Sequence, residues 1–262
     1  MKIFIHIGDA RTGSSTLQAM MAHNRARLHD MGIEYPALGT RDGQGIAHHA
    51  LSFSLLPVWP AHSPMAPISP EVIWNALLDH LDTVTSRTLI LSSEAFLNLP
   101  DASIAFVKDM LSDHEVTPVC VRRKAEDWRR SWIAHRIRQG EVVPPPKTPA
   151  RDLAGPKIDR WKAHFDVVTL PYSGTVLDDV LAAMGIDLHV LEPIVRRNES
   201  CSDEVLQLLN RLNEVDLNEA NRARLQAIMA RFPGLESLLD DMSLDRADRV
   251  QFNAMLVSRL SR

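Results

Sequence analysis

The residues with the clearest chemical signature lie near the start of the chain, in the stretch IHIGDARTGSSTLQ at 5–18. Gly8 and Gly13 have the spacing of the phosphate-loop pattern GxxxxGK[ST], but Ser14 stands where that pattern has lysine. The backbone N–H groups of such a turn, together with the N-terminus of the helix that follows, attract an anion. Because ATP or GTP hydrolysis depends on the missing lysine, the loop is predicted to hold a different phosphate-like group.

The positive charge of this loop is carried by Arg11, inside the turn rather than after it. A tight strand-to-helix turn with hydroxyl caps and no ligand is the alternative, since short glycine spacings of this kind also arise by accident. The loop on its own leaves both interpretations open.

A second concentration of positive charge follows in VRRKAEDWRRSWIAHRIR at 121–138. Arg123 lies at the end of a predicted strand, at the edge where open α/β sheets bind ligands. Ser131 lies on the helix that follows. The two could converge on one phosphate, because the planar guanidinium makes paired hydrogen bonds to phosphate oxygens. The alternative is a solvated helix face that Glu126 and Asp127 partly neutralise.

Alternating strand and helix patterns position both the loop at 5–18 and the basic stretch at 121–138. His6 is expected to be a core residue of the first strand. The predicted strands are 2–7, 87–96, 115–123 and 165–172, and the predicted helices are 15–31, 69–81, 101–114, 125–140 and 175–186. This order predicts an α/β fold with three layers, in which helices flank a mostly parallel sheet as in P-loop NTPases, followed by a helical C-terminal tail.

The same patterns suggest how the chain is divided. One α/β domain is expected over 1–213, with irregular insertions at 36–70 and 141–157 that are predicted to form the walls of a substrate site. Residues 214–262 are expected to form a helical extension packed on that domain. A contact between two copies of the chain is the alternative role for this extension, so a homodimer stays open.

Composition excludes several classes of protein. The 262 residues are 45% hydrophobic and 24% charged, as in an ordinary globular chain. A net charge of -4 gives no general attraction to nucleic acid or membrane, so an anion site must be local. Two cysteines, Cys120 and Cys201, predict a reduced compartment and no metal site. Because neither a signal peptide nor a membrane-spanning segment is recognised, a cytoplasmic location is expected.

Taken together, the motifs resemble those of the sulfotransferases that use 3′-phosphoadenosine 5′-phosphosulfate (PAPS). DARTGSST at 9–16 resembles the family's 5′-phosphosulfate loop, commonly written PKxGTT, and RKAEDWRRS at 123–131 resembles its 3′-phosphate motif. VTLPYSGTVLDDVLAAMGI at 168–186 is similar to a later strand and helix of the family. IVRRNESCSDEVLQLLNRLN at 194–213 resembles the tail of bacterial members, so the matches touch most of residues 1–213.

The resemblance implies that the chain transfers a sulfuryl group from PAPS to a hydroxyl or amine and leaves 3′,5′-adenosine diphosphate (PAP). The acceptor would be a carbohydrate, a lipid or another small molecule, and no metal is implied. By position, Arg123 and Ser131 would hold the 3′-phosphate, Tyr172 would lie near the adenine, and Arg196 or Arg197 would close over the nucleotide. The loop residues assigned to the 5′-phosphate are Arg11, Thr12, Gly13, Ser14, Ser15 and Thr16.

The catalytic assignments depart from the family at one position. Arg11 stands where the family has lysine, and Ala10 where it has proline. Arginine can stabilise charge on the phosphosulfate bridge but cannot donate a proton near neutral pH. Candidates for the base are Glu94, just after a predicted strand, and His48 and His49 in the first irregular segment. A helix cap or an ion-pair partner is the alternative for Glu94.

Three other classes of function stay open. A P-loop small-molecule kinase would need magnesium and the lysine that is missing here. A noncatalytic protein that binds a nucleotide or a sulfated ligand is made more plausible by Arg11. A nucleic-acid-binding module would use the basic helix at 122–138, against the overall acidity of the chain, so no nucleic-acid partner is expected.

Overall fold

The structure is a computed structural model, and the chain divides in it into two compact units. The first unit comprises Met1–Ala125 and Asp152–Arg197, and the second comprises Glu126–Arg151 and Asn198–Arg262. The domain boundary expected at residue 213 stays a prediction. The residues that the structure describes are 1–40, 46–61, 63–194, 201–230, 232, 235, 239, 242–244 and 247–260.

The first unit is built on a five-stranded sheet in the order β2-β3-β1-β4-β5. Every neighbouring pair of strands is parallel, and β1 lies in the middle between β3 and β4. The strands are β1 Lys2–His6, β2 Ile33–Glu34, β3 Thr88–Ser92, β4 Glu115–Arg122 and β5 Val168–Pro171. The parallel α/β sheet predicted from the alternation of strand and helix patterns is therefore confirmed.

Helices cover both faces of this sheet. The helices of the first unit are α1 Ser14–His23, α2 Arg25–Asp30, α3 His49–Phe53, α4 Pro70–Thr83, α5 Asp101–Met110, α7 Gly155–Lys162 and α8 Val176–Ala183. On one face, α1, α2 and α8 pack around a core that includes Leu17 and Val121. On the other, α3, α4, α5 and α7 pack around Ile5, Leu77 and Trp161. The sheet and its two helical layers make up the predicted three layers.

The described part of the second unit is helical. Its helices are α6 Ala125–Arg138, whose first residue belongs to the first unit, α9 Asp203–Asn213, α10 Arg222–Met229 and α11 Arg249–Leu260. On α9, Val205, Leu208, Leu209 and Leu212 are buried at the spacing of one helix face. This confirms the helical pattern predicted after residue 200. Across both units, the helices that the structure describes are all too short or too polar to cross a membrane.

The N-termini of two helices show how local sequence sets where a helix begins. Ser69 caps α4 by accepting the N–H of Val72 at 3.3 Å, as the Ser-Pro start predicted. The helix α7 begins inside the range 141–157, which was predicted to be irregular. Its start is fixed by Asp152, whose carboxylate accepts the N–H of Gly155 at 2.9 Å.

Asn24, at the junction of α1 and α2, connects these helices to the segment that follows α8. It is 2% exposed, and its amide group donates to the carbonyls of Met20 and Glu192, both at 3.0 Å. Its own carbonyl accepts the N–H of Glu192 at 2.7 Å. The carbonyl of Met20 also accepts the backbone N–H of Asn24, whereas the N–H and carbonyl of Glu192 both bond to this side chain.

Replacing this side chain tests its role. We expect Asn24→Ala to lower the free energy of unfolding by about 1–2 kcal/mol, because two hydrogen bonds from the buried amide to the backbone of Glu192 are lost. Arg27→Ala is the control, since it removes only an exposed ion pair with the same Glu192 and should cost less than about 1 kcal/mol. Urea unfolding measures both variants, and equal losses would contradict this interpretation.

Candidate functional site

The loop after β1, residues 8–13, turns directly into α1. Gly13 precedes that helix with φ 93° and ψ 3°, and no side chain caps the helix N-terminus. Arg11 also has a left-handed backbone, with φ 69°, and no other non-glycine residue in the described ranges has a positive φ. Left-handed residues in a turn point successive N–H groups to one side and create a concave anion site. The two left-handed residues are compatible with the anion site expected from the sequence, which stays a prediction.

Two hydroxyl groups brace this loop from inside. Thr12 Oγ1 donates to the carbonyl of Asp9 at 2.5 Å, and Ser14 Oγ approaches the same oxygen at 3.4 Å. Both side chains are buried, whereas Ser15 is exposed and Thr16 is half-buried. In this structure the Ser14 hydroxyl is thus turned toward the loop itself, and Ser15 and Thr16 are the hydroxyl residues open to a ligand.

Arg123 connects the ends of three strands. Its Nη1 atom donates to the carbonyl of Arg11 at 2.9 Å, so the end of β4 is bonded to the loop after β1. Its guanidinium carbon lies 4.3 Å from the ring centroid of Tyr172, which follows β5 and is 41% exposed. Its Nε–H is buried and has no hydrogen-bond partner among the described residues. The structure therefore brings together Arg11, Arg123 and Tyr172, and it leaves one donor of Arg123 unused.

The neighbouring arginine contacts the other side of the sheet. Along β4, Val121 belongs to the core beneath α1 and α8, whereas Cys120 belongs to the core beneath α7. Arg122 lies on the Cys120 side and pairs with Asp152, the residue that caps α7. The hydrogen bond from Gly155 and the charge of Arg122 lower the pKa of the Asp152 carboxyl. The two consecutive arginines thus lie on opposite faces of the sheet, and of the two only Arg123 contacts the loop after β1.

Beyond β3, a carboxylate is held next to the loop helix. Glu94 begins the 3₁₀ turn Glu94–Asn98, and Gln18 on α1 donates from Nε2 to its Oε2 atom at 2.9 Å. Gln18 is 3% exposed, so this contact fixes the carboxylate at the end of β3. Sequence reasoning missed Gln18. Its position one helical turn after Ser14 was the available signal, because residues four apart share a helix face.

Buried histidines lie under this edge of the sheet. His6 is 1% exposed, as predicted for a core residue, and its Nδ1 lies 2.8 Å from the hydroxyl of Ser92. Burial lowers its pKa to about 4, although the charge of Glu94 acts in the opposite direction. A Cβ at Gly8 would lie 2.4 Å from His6 Nε2, so the loop passes directly over the imidazole and needs glycine there.

The structure separates the two histidines proposed as bases. His48 is fully buried, accepts the N–H of Ser92 at Nδ1 and donates from Nε2 to the carbonyl of Pro36. Burial lowers its pKa to about 4, and since both ring nitrogens are engaged, the geometry gives His48 a structural role. His49 is half-buried, and its Nδ1 lies 2.8 Å from the hydroxyl of Ser93, next to Glu94. Glu94 and His49 are therefore the neighbouring candidates for a base.

For the remaining residues predicted to bind the nucleotide, a common site with Arg11, Arg123 and Tyr172 stays a prediction. Ser131 lies on α6 in the second unit, so its pairing with Arg123 stays a prediction. Arg196 and Arg197 lie outside the described residues. Several arginines of α6 form ion pairs within the second unit, as the alternative of a solvated helix face predicted: Arg129 with Glu126, Arg130 with Asp203 and Arg136 with Glu141. In the described ranges, no cluster of side chains has the composition of a metal site.

Comparison with known proteins adds little to this geometry. No protein-family model matches the sequence, and no curated protein sequence matches it significantly. Among solved structures, the chain is similar to the crystal structure of a sulfotransferase from Alicyclobacillus acidocaldarius, with 15% identity and a TM-score of 0.44. The match covers 89% of this chain and 94% of that chain. A TM-score this low does not establish a common fold.

The left-handed glycine of the loop can be tested directly. We expect Gly13→Ala to lower the free energy of unfolding by about 1–2 kcal/mol, because a side chain strains a residue at positive φ. Gly174→Ala is the matched control, since an added Cβ there meets no atom within 4 Å. Urea unfolding compares the two variants, and an unchanged Gly13→Ala protein would show that the loop relaxes without cost.

The buried imidazoles predict a pH dependence of stability. His6 and His48 have pKa values of about 4 when folded, below the value of about 6.5 expected in the unfolded chain. Between these values the unfolded chain binds more protons, so stability is full above about pH 6.5 and falls as the pH drops toward 4. We expect a loss of up to about 1.4 kcal/mol per pH unit for each histidine.

Urea unfolding from about pH 7 to 5 measures this slope, and the range stays above the titration of ordinary carboxylates. His6→Gln should reduce the slope by about half, because of these two imidazoles His48 remains. A slope that is the same in wild type and His6→Gln would contradict the assignment, and His48→Gln provides the second test.

Proposed function

We propose that this protein is a sulfotransferase that uses PAPS as donor and releases PAP. The observation that carries the proposal is the bond from Arg123 to the carbonyl of Arg11 at 2.9 Å, with Tyr172 against the same guanidinium. It supports a single nucleotide site built from the ends of β1, β4 and β5. An open parallel sheet binds its ligand at the carboxyl ends of its strands, next to the point where the strand order reverses.

The residues present fit the two anionic ends of such a nucleotide. The N–H groups of the loop and of the first turn of α1, from Thr12 to Ser15, would hold the 5′-phosphosulfate, because that helix N-terminus has no side-chain cap. The N–H of Thr16, the last amide predicted from the sequence, donates to the carbonyl of Gly13 at 3.0 Å. The unused Nε–H of Arg123 would bind the 3′-phosphate, with Ser131 as its proposed partner. The exposed ring of Tyr172 offers a surface on which the adenine would stack.

Arg11 would act on the leaving group. Its backbone is fixed in the left-handed region, and its side chain belongs to the loop that receives the phosphosulfate. A guanidinium stabilises negative charge on the bridging oxygen electrostatically, without transferring a proton. Transfer from this protein would therefore depend on charge stabilisation at the bridge rather than on protonation of the leaving oxygen.

The chemistry assigned to the other residues concerns the acceptor. When bound, the donor supplies the sulfuryl group: the acceptor oxygen or nitrogen forms a bond to sulfur while the bond from sulfur to the bridging oxygen breaks. The acceptor proton would pass to Glu94, which Gln18 holds in place, or to His49 beside Ser93. Positioning and electrostatics would provide most of the rate acceleration. The cytoplasmic location and the dimer expected from the sequence stay predictions.

Calorimetric titration with PAP in the absence of magnesium tests this function. We expect binding in the micromolar range by the wild-type protein, weakened about 10- to 100-fold in Arg123→Ala because a charge-assisted hydrogen bond to phosphate is lost. Arg136→Ala is the control, since that arginine pairs with Glu141 on the surface of the second unit.

Three results would contradict the proposal or its assignment. Folded protein that does not bind PAP would remove the sulfotransferase function. Binding of ATP that requires magnesium would favour the kinase instead. Equal affinities of Arg123→Ala and Arg136→Ala for PAP would remove Arg123 from the site.

A further inference from the structure

The imidazole of His49 is joined to two buried hydroxyl groups at the end of β3. Its Nδ1 atom lies 2.8 Å from the hydroxyl oxygen of Ser93, which lies 2.8 Å from the hydroxyl oxygen of Ser52. The hydroxyl of Ser52 in turn approaches the carbonyl of His49 at 3.1 Å. Both serines are fully buried, so water does not compete for these contacts. The contacts therefore form a closed ring that begins and ends at His49.

The number of hydrogens in this ring decides the direction of its bonds. Each serine hydroxyl has one hydrogen to donate, and a carbonyl oxygen only accepts. If Ser52 donates to the carbonyl of His49, Ser93 donates to Ser52, and the Ser93 oxygen accepts Nδ1–H of His49. In the opposite direction Ser52 would donate to Ser93, and the contact with the carbonyl would contain no hydrogen. Only the first direction makes every contact of the ring a hydrogen bond, and it leaves the lone pair of His49 on Nε2.

The neighbouring His48 carries the opposite tautomer. Its Nδ1 accepts the backbone N–H of Ser92 at 3.0 Å, so its hydrogen is on Nε2, which donates to the carbonyl of Pro36 at 3.0 Å. The backbone alone decides this tautomer, because an N–H only donates and a carbonyl only accepts. His48 therefore provides a reference, within the same protein, against which the tautomer of His49 can be measured.

The orientation of the His49 ring is fixed as well. The ring stacks on Phe53, with centroids 5.0 Å apart and planes inclined by 9°, and Phe53 is 9% exposed. The oxygen of Ser93 is held from the other side, where it accepts the N–H of Ala95 at 3.2 Å. A general base needs a lone pair held in one place beside the proton that it takes. The surroundings of His49 thus fix both the plane of the ring and the nitrogen that keeps its lone pair.

We propose that Ser52 and Ser93 are positioning residues, which hold His49 as the Nδ1–H tautomer so that its Nε2 takes the proton of the acceptor. In this step the acceptor atom forms a bond to sulfur, the bond from sulfur to the bridging oxygen breaks, and the acceptor proton moves to Nε2. The Ser93 oxygen then stabilises the imidazolium through Nδ1–H. The role as base rests on the proposed sulfotransferase function, whereas the tautomer does not.

The tautomer can be observed in the full-length protein by long-range ¹H–¹⁵N correlation NMR with ¹⁵N-labelled histidine. At about pH 8 an ordinary imidazole is neutral, and its nitrogen without hydrogen resonates far downfield of the other. We expect the downfield nitrogen to be Nε2 in His49 and Nδ1 in His48. The spectrum of His49→Gln assigns the signals of His49. A hydrogen on Nε2 of His49 in the wild-type protein would overturn the proposal.

A matched pair of variants tests the role of the serines. Ser52→Ala does not alter any contact of the imidazole, but it frees the Ser93 hydrogen to donate to Nδ1, so the main form of His49 should change to Nε2–H. Ser54→Ala is the control, since that hydroxyl donates to the carbonyl of Leu51 at 2.9 Å. Ser93→Ala, which removes the acceptor itself, should also lower the share of Nδ1–H. Equal spectra of Ser52→Ala and Ser54→Ala would remove Ser52 as a positioning residue.

Hydrolysis of PAPS, with water as the acceptor, tests the role of His49 as base. Water then forms the bond to sulfur, PAP and sulfate are released, and the water proton moves to Nε2. We expect His49→Gln to slow the release of PAP about tenfold or more, because a general base is lost. Ser52→Ala should slow it about twofold or more, because the reactive tautomer becomes the minor form. Ser54→Ala should leave the rate unchanged.

Titration of the same samples with PAP separates this proposal from the proposed function. Protein that binds PAP and hydrolyses PAPS at the same rate in His49→Gln would keep the sulfotransferase function and overturn the role of His49 as base. Protein that shows the Nδ1–H tautomer but does not bind PAP would keep Ser52 and Ser93 as positioning residues and overturn their part in sulfuryl transfer.

Discussion

The hydrogen bond from Arg123 to the carbonyl of Arg11 is the interaction on which the candidate site depends. It spans 112 positions of sequence and joins the ends of two neighbouring parallel strands, β4 and β1. Arg11 is held at φ 69°, a conformation that costs a non-glycine residue about 1–2 kcal/mol and needs support from its surroundings. A charged donor on its carbonyl provides that support. Among the described residues, the buried Nε–H of the same guanidinium has no hydrogen-bond partner, and the proposed 3′-phosphate would supply one.

The histidines buried beneath the loop after β1 add no positive charge to the core. Burial keeps His6 and His48 neutral, so neither adds to the positive charge that Arg11, Arg123 and the N-terminus of α1 bring to this edge. The helix that begins at the loop also holds Glu94 through Gln18. One helix therefore positions both the expected donor site and a candidate base. Sulfuryl transfer requires this kind of shared support, because the acceptor oxygen must lie in line with the bridge.

Local patterns predicted a large part of this arrangement, and long-range contacts account for the rest. The first strand, its loop and α1 follow from periodicity and two glycines, and the start of α4 follows from Ser69 and Pro70. The two-residue strand β2 is too short to give a period. The burial of His48 could not be inferred, because its partner is the backbone of Ser92, 44 positions away. Strand alternation predicts that Arg122 and Arg123 lie on opposite faces of the sheet, but their partners, Asp152 and Tyr172, come from distant elements and could not be inferred.

The most direct test of the central claim is an NMR titration of the ¹⁵N-labelled protein with PAP, which observes the backbone amides and the Nε–H of the arginine side chains together. If the loop and Arg123 form one nucleotide site, the amides of Gly13 to Thr16 and the Nε–H of Arg123 will shift along a common binding curve. The Nε–H of Arg222, which pairs with Glu219 in the second unit, will not move. Saturation with PAP that leaves the loop amides and the Arg123 signal unchanged would contradict the account, because the nucleotide would then bind somewhere else.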